Sequence, residues 1–131
     1  MTGMNEVNGR KPLHYKELKV WKKGMELVRM IYQLTARLPT EEKYGLASQM
    51  RRAAVSVPSN IAEGQARQGT REFLQFLSHA SGSLAELETQ TLLCVDLNYC
   101  NPPDITKISG EIAELQKMLA AIRRKLQESS H

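Results

Sequence analysis

The first apolar pattern begins at Leu18, and its spacing of three and four residues is typical of an amphipathic helix. Leu38-Pro39 ends this helix, because the residue before a proline avoids the helical conformation. Thr40, which two glutamates follow, is predicted to be the N-cap of a second helix. The apolar stripe of the first helix comprises Leu18, Trp21, Met25, Val28, Tyr32 and Thr35, widened by Leu27, Ile31 and Leu34.

Three more helical patterns follow, and no strand pattern interrupts them. The second helix carries Leu46, Met50, Ala53, Val57 and Ile61 on its inner side. The third runs from Thr70 to about Leu97, and a turn over 98–104 contains two prolines. The last stripe comprises Ile105, Ile108, Ile112, Leu115, Leu119, Ile122 and Leu126. This pattern predicts an all-α, antiparallel up-down-up-down four-helix bundle over residues 15–128, preceded by a flexible arm over 1–14.

Composition and motifs argue against an enzyme and against a bound cofactor or metal. The 131 residues are 41% apolar and 24% charged, which is ordinary for one globular domain. One Glu-x-x-His occurs, Glu128 to His131, whereas a di-iron bundle site needs one on each of two helices, and no phosphate-binding glycine loop occurs. The spacing of Cys94 and Cys100 matches no redox or zinc motif, so free thiols are expected. No apolar run approaches the ~18 residues of a membrane span, and the N-terminus lacks the apolar segment of a signal peptide. We therefore expect a cytoplasmic location and no membrane partner.

The segment 49–64, QMRRAAVSVPSNIAEG, contains polar residues that a helical bundle does not need for stability. Either one helix continues through Pro58 with a kink, or Ser56 caps a second short helix with Pro58 in its first turn. Three interpretations are open: an ordinary surface, a subunit contact that buries an Arg52–Glu63 pair, or a site for an anion or nucleic acid. A continuous helix would align one polar stripe of Ser48, Arg52, Ser56, Ser59, Glu63 and Arg67, with Asn60 beside it.

Basic residues are concentrated in the first half of the chain, although the net charge is only +4. Residues 1–71 carry 13 Lys and Arg against 6 Asp and Glu, whereas residues 72–131 carry 5 against 8. This asymmetry indicates either a basic face that attracts nucleic acid or complementary faces that meet between subunits. Small residues on the inner faces, such as Ala53 and Ala80, predict close helix approach and a closed ring larger than a dimer.

Three stretches carry a family resemblance: YKELKVWKKGMELVRMIYQLT, YGLASQMRRAAVSVPSNIAEG and REFLQFLSHASGSLAELETQ. They resemble the four-helix bundle family founded on the 23S ribosomal RNA intervening-sequence proteins. That name records where the reading frames lie and does not itself indicate an activity. A related branch comprises the accessory proteins of diversity-generating retroelements, which bind nucleic acid and a reverse transcriptase through a basic surface. The resemblance implies a non-enzymatic homo-oligomer, specifically a pentameric ring.

Two hypotheses follow from the sequence. The first is an oligomeric binding or scaffold protein that associates with RNA or DNA through a basic surface. The second is a structural protein-interaction module that binds no nucleic acid. They differ in whether the basic residues of the first helix and the Arg51-Arg52 pair converge on one exposed surface. The candidate residues for binding nucleic acid or a partner are Lys19, Lys22, Lys23, Arg29, Arg51, Arg52, Asn60, Glu63 and Arg67.

Overall fold

Four helices make up most of the part of the chain that the computed structural model describes, residues 14–129. This confirms the predicted all-α four-helix bundle. Two short 3-10 turns, Tyr15–Glu17 and Thr40–Glu42, precede the first and second helices. The predicted arm lies outside the described residues except for its last residue, His14. The helices are α1 (Lys19–Thr35), α2 (Leu46–Ala66), α3 (Thr70–Asp96) and α4 (Pro102–Ser129).

Each helix packs against the next one along the chain, and α4 packs back against α1. The contacts join the start of one helix to the end of its neighbour, as expected for helices that run in opposite directions. In α1 and α2, for example, Thr35 lies beside Arg51, whereas Gly24 lies beside Pro58. In α3 and α4, Ser81 donates to the side chain of Gln116 over 2.7 Å. No described helix is long and apolar enough to cross a membrane.

The core lies along the bundle axis and contains the inner residues predicted for α2 and α4, with Leu46 of α2 and Ile122 of α4 only partly buried against it. The inner face of α1 is rotated relative to the predicted stripe. Leu27, Ile31 and Leu34 are buried, whereas Met25 and Tyr32 are exposed. Apolar residues cover a wide arc of α1, and the branched aliphatic side chains fill the core while the tyrosine keeps its hydroxyl at the surface. Trp21, predicted to be buried, is half-buried at the edge of the core.

The start of α2 differs from the prediction. Thr40 begins a 3-10 turn instead of capping the helix, and α2 begins at Leu46 after the non-helical Gly45. The carboxylate of Glu42 supplies the missing cap, since its Oε1 accepts from the Leu46 amide over 2.9 Å. Its Oε2 accepts from the Tyr99 hydroxyl over 2.7 Å and so links this turn to the turn between α3 and α4.

Helix α2 is continuous through Pro58, as the first of the two alternatives predicted. The second alternative is wrong, because the Ser56 hydroxyl donates backwards to the carbonyl of Ala53 over 2.7 Å and does not cap a new helix. Pro58 is buried, and its ring contacts α1 at Gly24, where an added Cβ would lie 3.4 Å from the proline Cβ. The proline removes one backbone hydrogen bond, and its ring fills the space that Gly24 leaves open.

The predicted turn between α3 and α4 is present but shorter than predicted, because α4 already begins at Pro102, and a Schellman motif closes it. Asn98 has a positive φ of 64°. Its amide donates to the Val95 carbonyl over 2.9 Å, and the Tyr99 amide donates to the Cys94 carbonyl over 2.8 Å. These two bonds satisfy carbonyls that the helix end would otherwise leave unpaired, and they place Tyr99 where its hydroxyl reaches the turn before α2.

Candidate nucleic-acid interface

The four basic residues predicted on α1 fall into two groups. Lys19 and Lys22 are exposed, and their side-chain amines form no ion pair or hydrogen bond with any described residue. Lys23 instead reaches across to α4, where its Nζ lies 2.9 Å from Oε1 of Glu111. That hydrogen bond raises the pKa of Lys23 and keeps the amine charged.

Arg29 is exposed and pairs within α1, with its Nη2 3.5 Å from a carboxylate oxygen of Glu26. An exposed pair at this distance contributes little to stability. It does reduce the positive charge that this part of α1 presents to solvent. Of the predicted α1 patch, therefore, Lys19 and Lys22 are the residues whose charge no described acidic side chain offsets.

Arg51 lies on the seam between α1 and α2, and three contacts with α1 hold it. Its Nε donates to Oγ1 of Thr35 over 2.8 Å, and its Nη2 lies 3.5 Å from the carbonyl oxygen of Tyr32. The guanidinium carbon sits 4.5 Å from the centroid of the Tyr32 ring. A planar cation over a tyrosine face is a favourable cation–π contact, and together these contacts fix the orientation of the guanidinium.

A surface cavity of about 470 Å³ lies beside this arginine, and we call it the Tyr–Arg cavity. The ring of Tyr44 is 86% exposed, and the amine of Lys43 lies 5.5 Å from its centroid. Arg52 is exposed and has no partner among the described residues. The lining contains three cationic side chains and two tyrosines but no acidic one: Tyr32, Lys43, Tyr44, Ser48, Arg51, Arg52 and Val55.

Asn60, Glu63 and Arg67 are not among the residues that line this cavity. The amide of Asn60 donates to the backbone carbonyl of Ser56 over 2.7 Å, so its polar group is used within α2. Glu63 pairs with Arg67 over 3.1 Å on the exposed surface. The Arg52–Glu63 pair is therefore not formed within one chain, because eleven residues of helix separate the two by roughly 16 Å.

The predicted basic residues do not all converge on one surface. Lys23 faces α4 through Glu111, whereas Arg51 faces α1 from the opposite seam.

The sequence pattern did not identify Tyr32 as a cavity residue, because it assigned Tyr32 to the inner stripe of α1. Its neighbour in the cavity, Tyr44, was present only as part of the family motif.

A second surface feature lies between the end of α3 and the start of α4. Leu92 is 55% exposed, and Leu93 and Leu97 are also exposed. An open groove of about 610 Å³ runs beside them, lined by Thr89, Leu92, Leu93, Val95, Asp96, Pro102 and Ile105. Exposed leucines along a groove are typical of a surface that contacts another protein chain.

The two cysteines are free thiols, as the sequence predicted. Cys94 is buried in the core, and this burial raises its pKa to about 11. At neutral pH it is therefore a protonated apolar side chain.

The fold and the surface together define an all-α protein of the four-helix-bundle class, with a basic and aromatic surface along the α1–α2 seam. Within that class, the family model described as 23S rRNA-intervening sequence protein matches residues 16–121. The chain belongs to this family, which confirms the resemblance found in its sequence. No protein of curated function matches the sequence.

Proposed function

We propose that this chain is a non-enzymatic, oligomeric binding protein that associates with nucleic acid through exposed basic residues of α1 and α2. The observation that carries this proposal is the set of exposed cations without described partners, namely Lys19, Lys22 and Arg52. Cations that no acidic side chain neutralises are available to phosphates, and phosphate binding releases condensed counterions. The excess of basic residues in residues 1–71 supports the same proposal.

Binding to labelled RNA and DNA at increasing salt tests this proposal. We expect affinity to fall steeply between roughly 50 and 200 mM salt. The variant Lys19→Glu/Lys22→Glu should bind many sequences less tightly by a similar factor, because phosphate contacts carry little sequence information. Lys107→Glu/Lys117→Glu makes the same charge change on the exposed face of α4 and is the matched control. An equal loss of affinity in both variants, or binding that is insensitive to salt, would contradict a specific role of Lys19 and Lys22.

We further propose that several copies associate, as the family resemblance implies for a pentameric ring. The small residues of the inner faces do not support association between copies, because Ala53, Ala54 and Ala80 are buried inside the bundle. The exposed leucines on α3 support it better, because a ring needs an apolar surface that one chain leaves uncovered. Light scattering tests the proposal: Leu93→Glu should reduce the oligomer size, whereas Met25→Glu, on the exposed edge of α1, should not.

The protein-interaction module without nucleic-acid binding is the second candidate function. The leucine-lined groove on α3 and α4 favours it, because such a groove needs a protein chain and not a phosphate. It would be the better account if the chain formed a defined oligomer or complex and yet bound neither RNA nor DNA at low salt.

A further inference from the structure

The Tyr–Arg cavity combines the two chemical features that single strands of nucleic acid require, which are aromatic faces and cations. We infer that it is a stacking site for single-stranded nucleic acid, in which a base lies on Tyr44 while Arg52 and Lys43 meet the adjacent phosphates. This inference rests on the proposed function and specifies the form of nucleic acid that the basic surface binds.

Tyr44 has the geometry of a stacking platform. Its ring is 86% exposed, although a tyrosine that contributed to the core would be largely buried. The amine of Lys43, 5.5 Å from the ring centroid, lies against one face of the ring. The opposite face is open for a base, and every base offers a π-face of its own.

Arg51 forms a second, immobilised wall of the cavity. Its contacts with Thr35 and Tyr32 hold the guanidinium plane in one orientation before any ligand arrives. A guanidinium plane can itself stack on a base, and a side chain that is already ordered loses less entropy on binding. Arg51 and Lys43 also line a neighbouring cavity of about 340 Å³, so the two cavities share these cations.

The charge of the lining selects an anionic ligand. Lys43, Arg51 and Arg52 are cations, and no acidic side chain of residues 14–129 lines the cavity. Arg52 has no described partner, so it meets a phosphate without first breaking an ion pair. A single strand also fits better than a duplex, because the bases of a duplex are stacked on each other and do not offer their faces to protein rings.

The experiment compares single-stranded and duplex probes on the whole chain. Fluorescence anisotropy would use labelled oligouridylate RNA and oligothymidylate DNA of about 12 nucleotides, within the site sizes of roughly 4–16 nucleotides known for single-strand binding folds. A mixed-sequence RNA duplex of the same length is the third probe, and all are measured at the same low salt. The variants are Tyr44→Leu, which removes the ring, and Tyr44→Phe, which keeps it.

We expect Tyr44→Leu to weaken single-strand binding by roughly 5- to 150-fold, the loss that corresponds to one base–aromatic stack. Its duplex affinity should be unchanged, and Tyr44→Phe should recover the single-strand affinity. Comparison of the RNA and DNA probes shows which nucleic acid the chain prefers. A loss of affinity for either single-stranded probe in Tyr44→Leu supports the site. Because Tyr44 is so exposed, the variant should fold as the wild type does, which circular dichroism checks.

Several results would overturn the inference. Single-strand binding that is unchanged in Tyr44→Leu, or an equal loss for the duplex, would remove the stacking role but leave the proposed function intact. A changed oligomer size in Tyr44→Leu, measured by light scattering, would show that a second copy of the chain covers the cavity. Failure of the wild-type chain to bind any of the probes would refute the proposed function and the cavity together.

Discussion

Gly64 is the position where the structure makes its sharpest stability prediction. This residue lies near the end of α2, where that helix meets the start of α3. A Cβ added to Gly64 would lie 2.8 Å from Cβ of Phe76 and 2.9 Å from Cδ1 of Phe73. Both distances are shorter than carbon atoms tolerate in packed proteins. The Phe76 atom is adjacent to the backbone, so it cannot move away unless α3 moves with it.

The expected magnitude follows from two opposing effects. Inserting a methyl group into a packed interface costs about 1–3 kcal/mol, because helices and side chains must shift. Replacing glycine by alanine in a helix gains about 0.5–1 kcal/mol, chiefly because the unfolded chain loses freedom. At Gly64 the gain is at the low end, because only two residues of α2 follow it. We therefore expect Gly64→Ala to lower the free energy of unfolding by about 1–2 kcal/mol.

Gly82 and Gly110 are matched controls in the same protein. Both are exposed within long helices, and a Cβ at either position would meet no atom of the described part of the chain within 4 Å. Alanine at each should therefore raise the free energy of unfolding by about 0.5–1 kcal/mol. Urea denaturation at one fixed protein concentration measures all three variants, since the stability of an oligomer depends on concentration. A Gly64→Ala variant as stable as either control would refute the close α2–α3 approach.

Three further predictions concern the helix ends and the thiols. Asn98→Ala should lower the free energy of unfolding by about 1 kcal/mol, because the short polar side chain of asparagine tolerates the positive φ better than a methyl group does. Asn98→Gly, which has no Cβ, should not lower it, and urea titrations measure both. The hydrogen bond from Tyr99 lowers the pKa of Glu42. This hydrogen bond should therefore stabilise the fold fully above the usual carboxyl pKa, and that stabilisation should be lost as pH falls through the lowered pKa of Glu42. Tyr99→Phe should therefore show a smaller loss of stability on acidification below about pH 4.5 than the wild type, and identical pH profiles would contradict this link. Burial raises the pKa of Cys94 to about 11, so at pH 8 this thiol should react with iodoacetamide only as fast as the chain unfolds. Half-buried Cys100 should react first, and mass spectrometry distinguishes the two modified cysteines.

Most of the fold could be predicted from the sequence because helical periodicity is a local property. The inner stripes of α2 and α4 followed from the spacing of apolar residues, and the prolines indicated where one helix gives way to the next. The start of α2 could not be predicted in this way. Thr40 has the local features of a cap, but the carboxylate that caps α2 comes from Glu42, which Tyr99 holds from a turn distant in sequence.

Less of the candidate site could be predicted, because charge along the chain does not identify a charged residue's partner. Lys22 and Lys23 are adjacent in sequence, yet only Lys23 is close enough to α4 to pair with Glu111. Within one chain, Glu63 pairs with Arg67, one turn further along α2, and the subunit contact that would bury Glu63 with Arg52 stays a prediction. These outcomes depend on how far each helix is rotated about its axis, and that rotation is set by the packing of all four.

The sequence by itself determined that this chain forms four amphipathic helices and belongs to the intervening-sequence family, since both depend on residue types at regular or characteristic spacing. The tertiary structure alone decided that Arg51 lies over Tyr32 and that Tyr44 stands exposed beside it. Such contacts join residues from different elements, so they exist only once the helices have a fixed register and rotation. That register is the result of close packing throughout the core, which no single segment of the chain encodes.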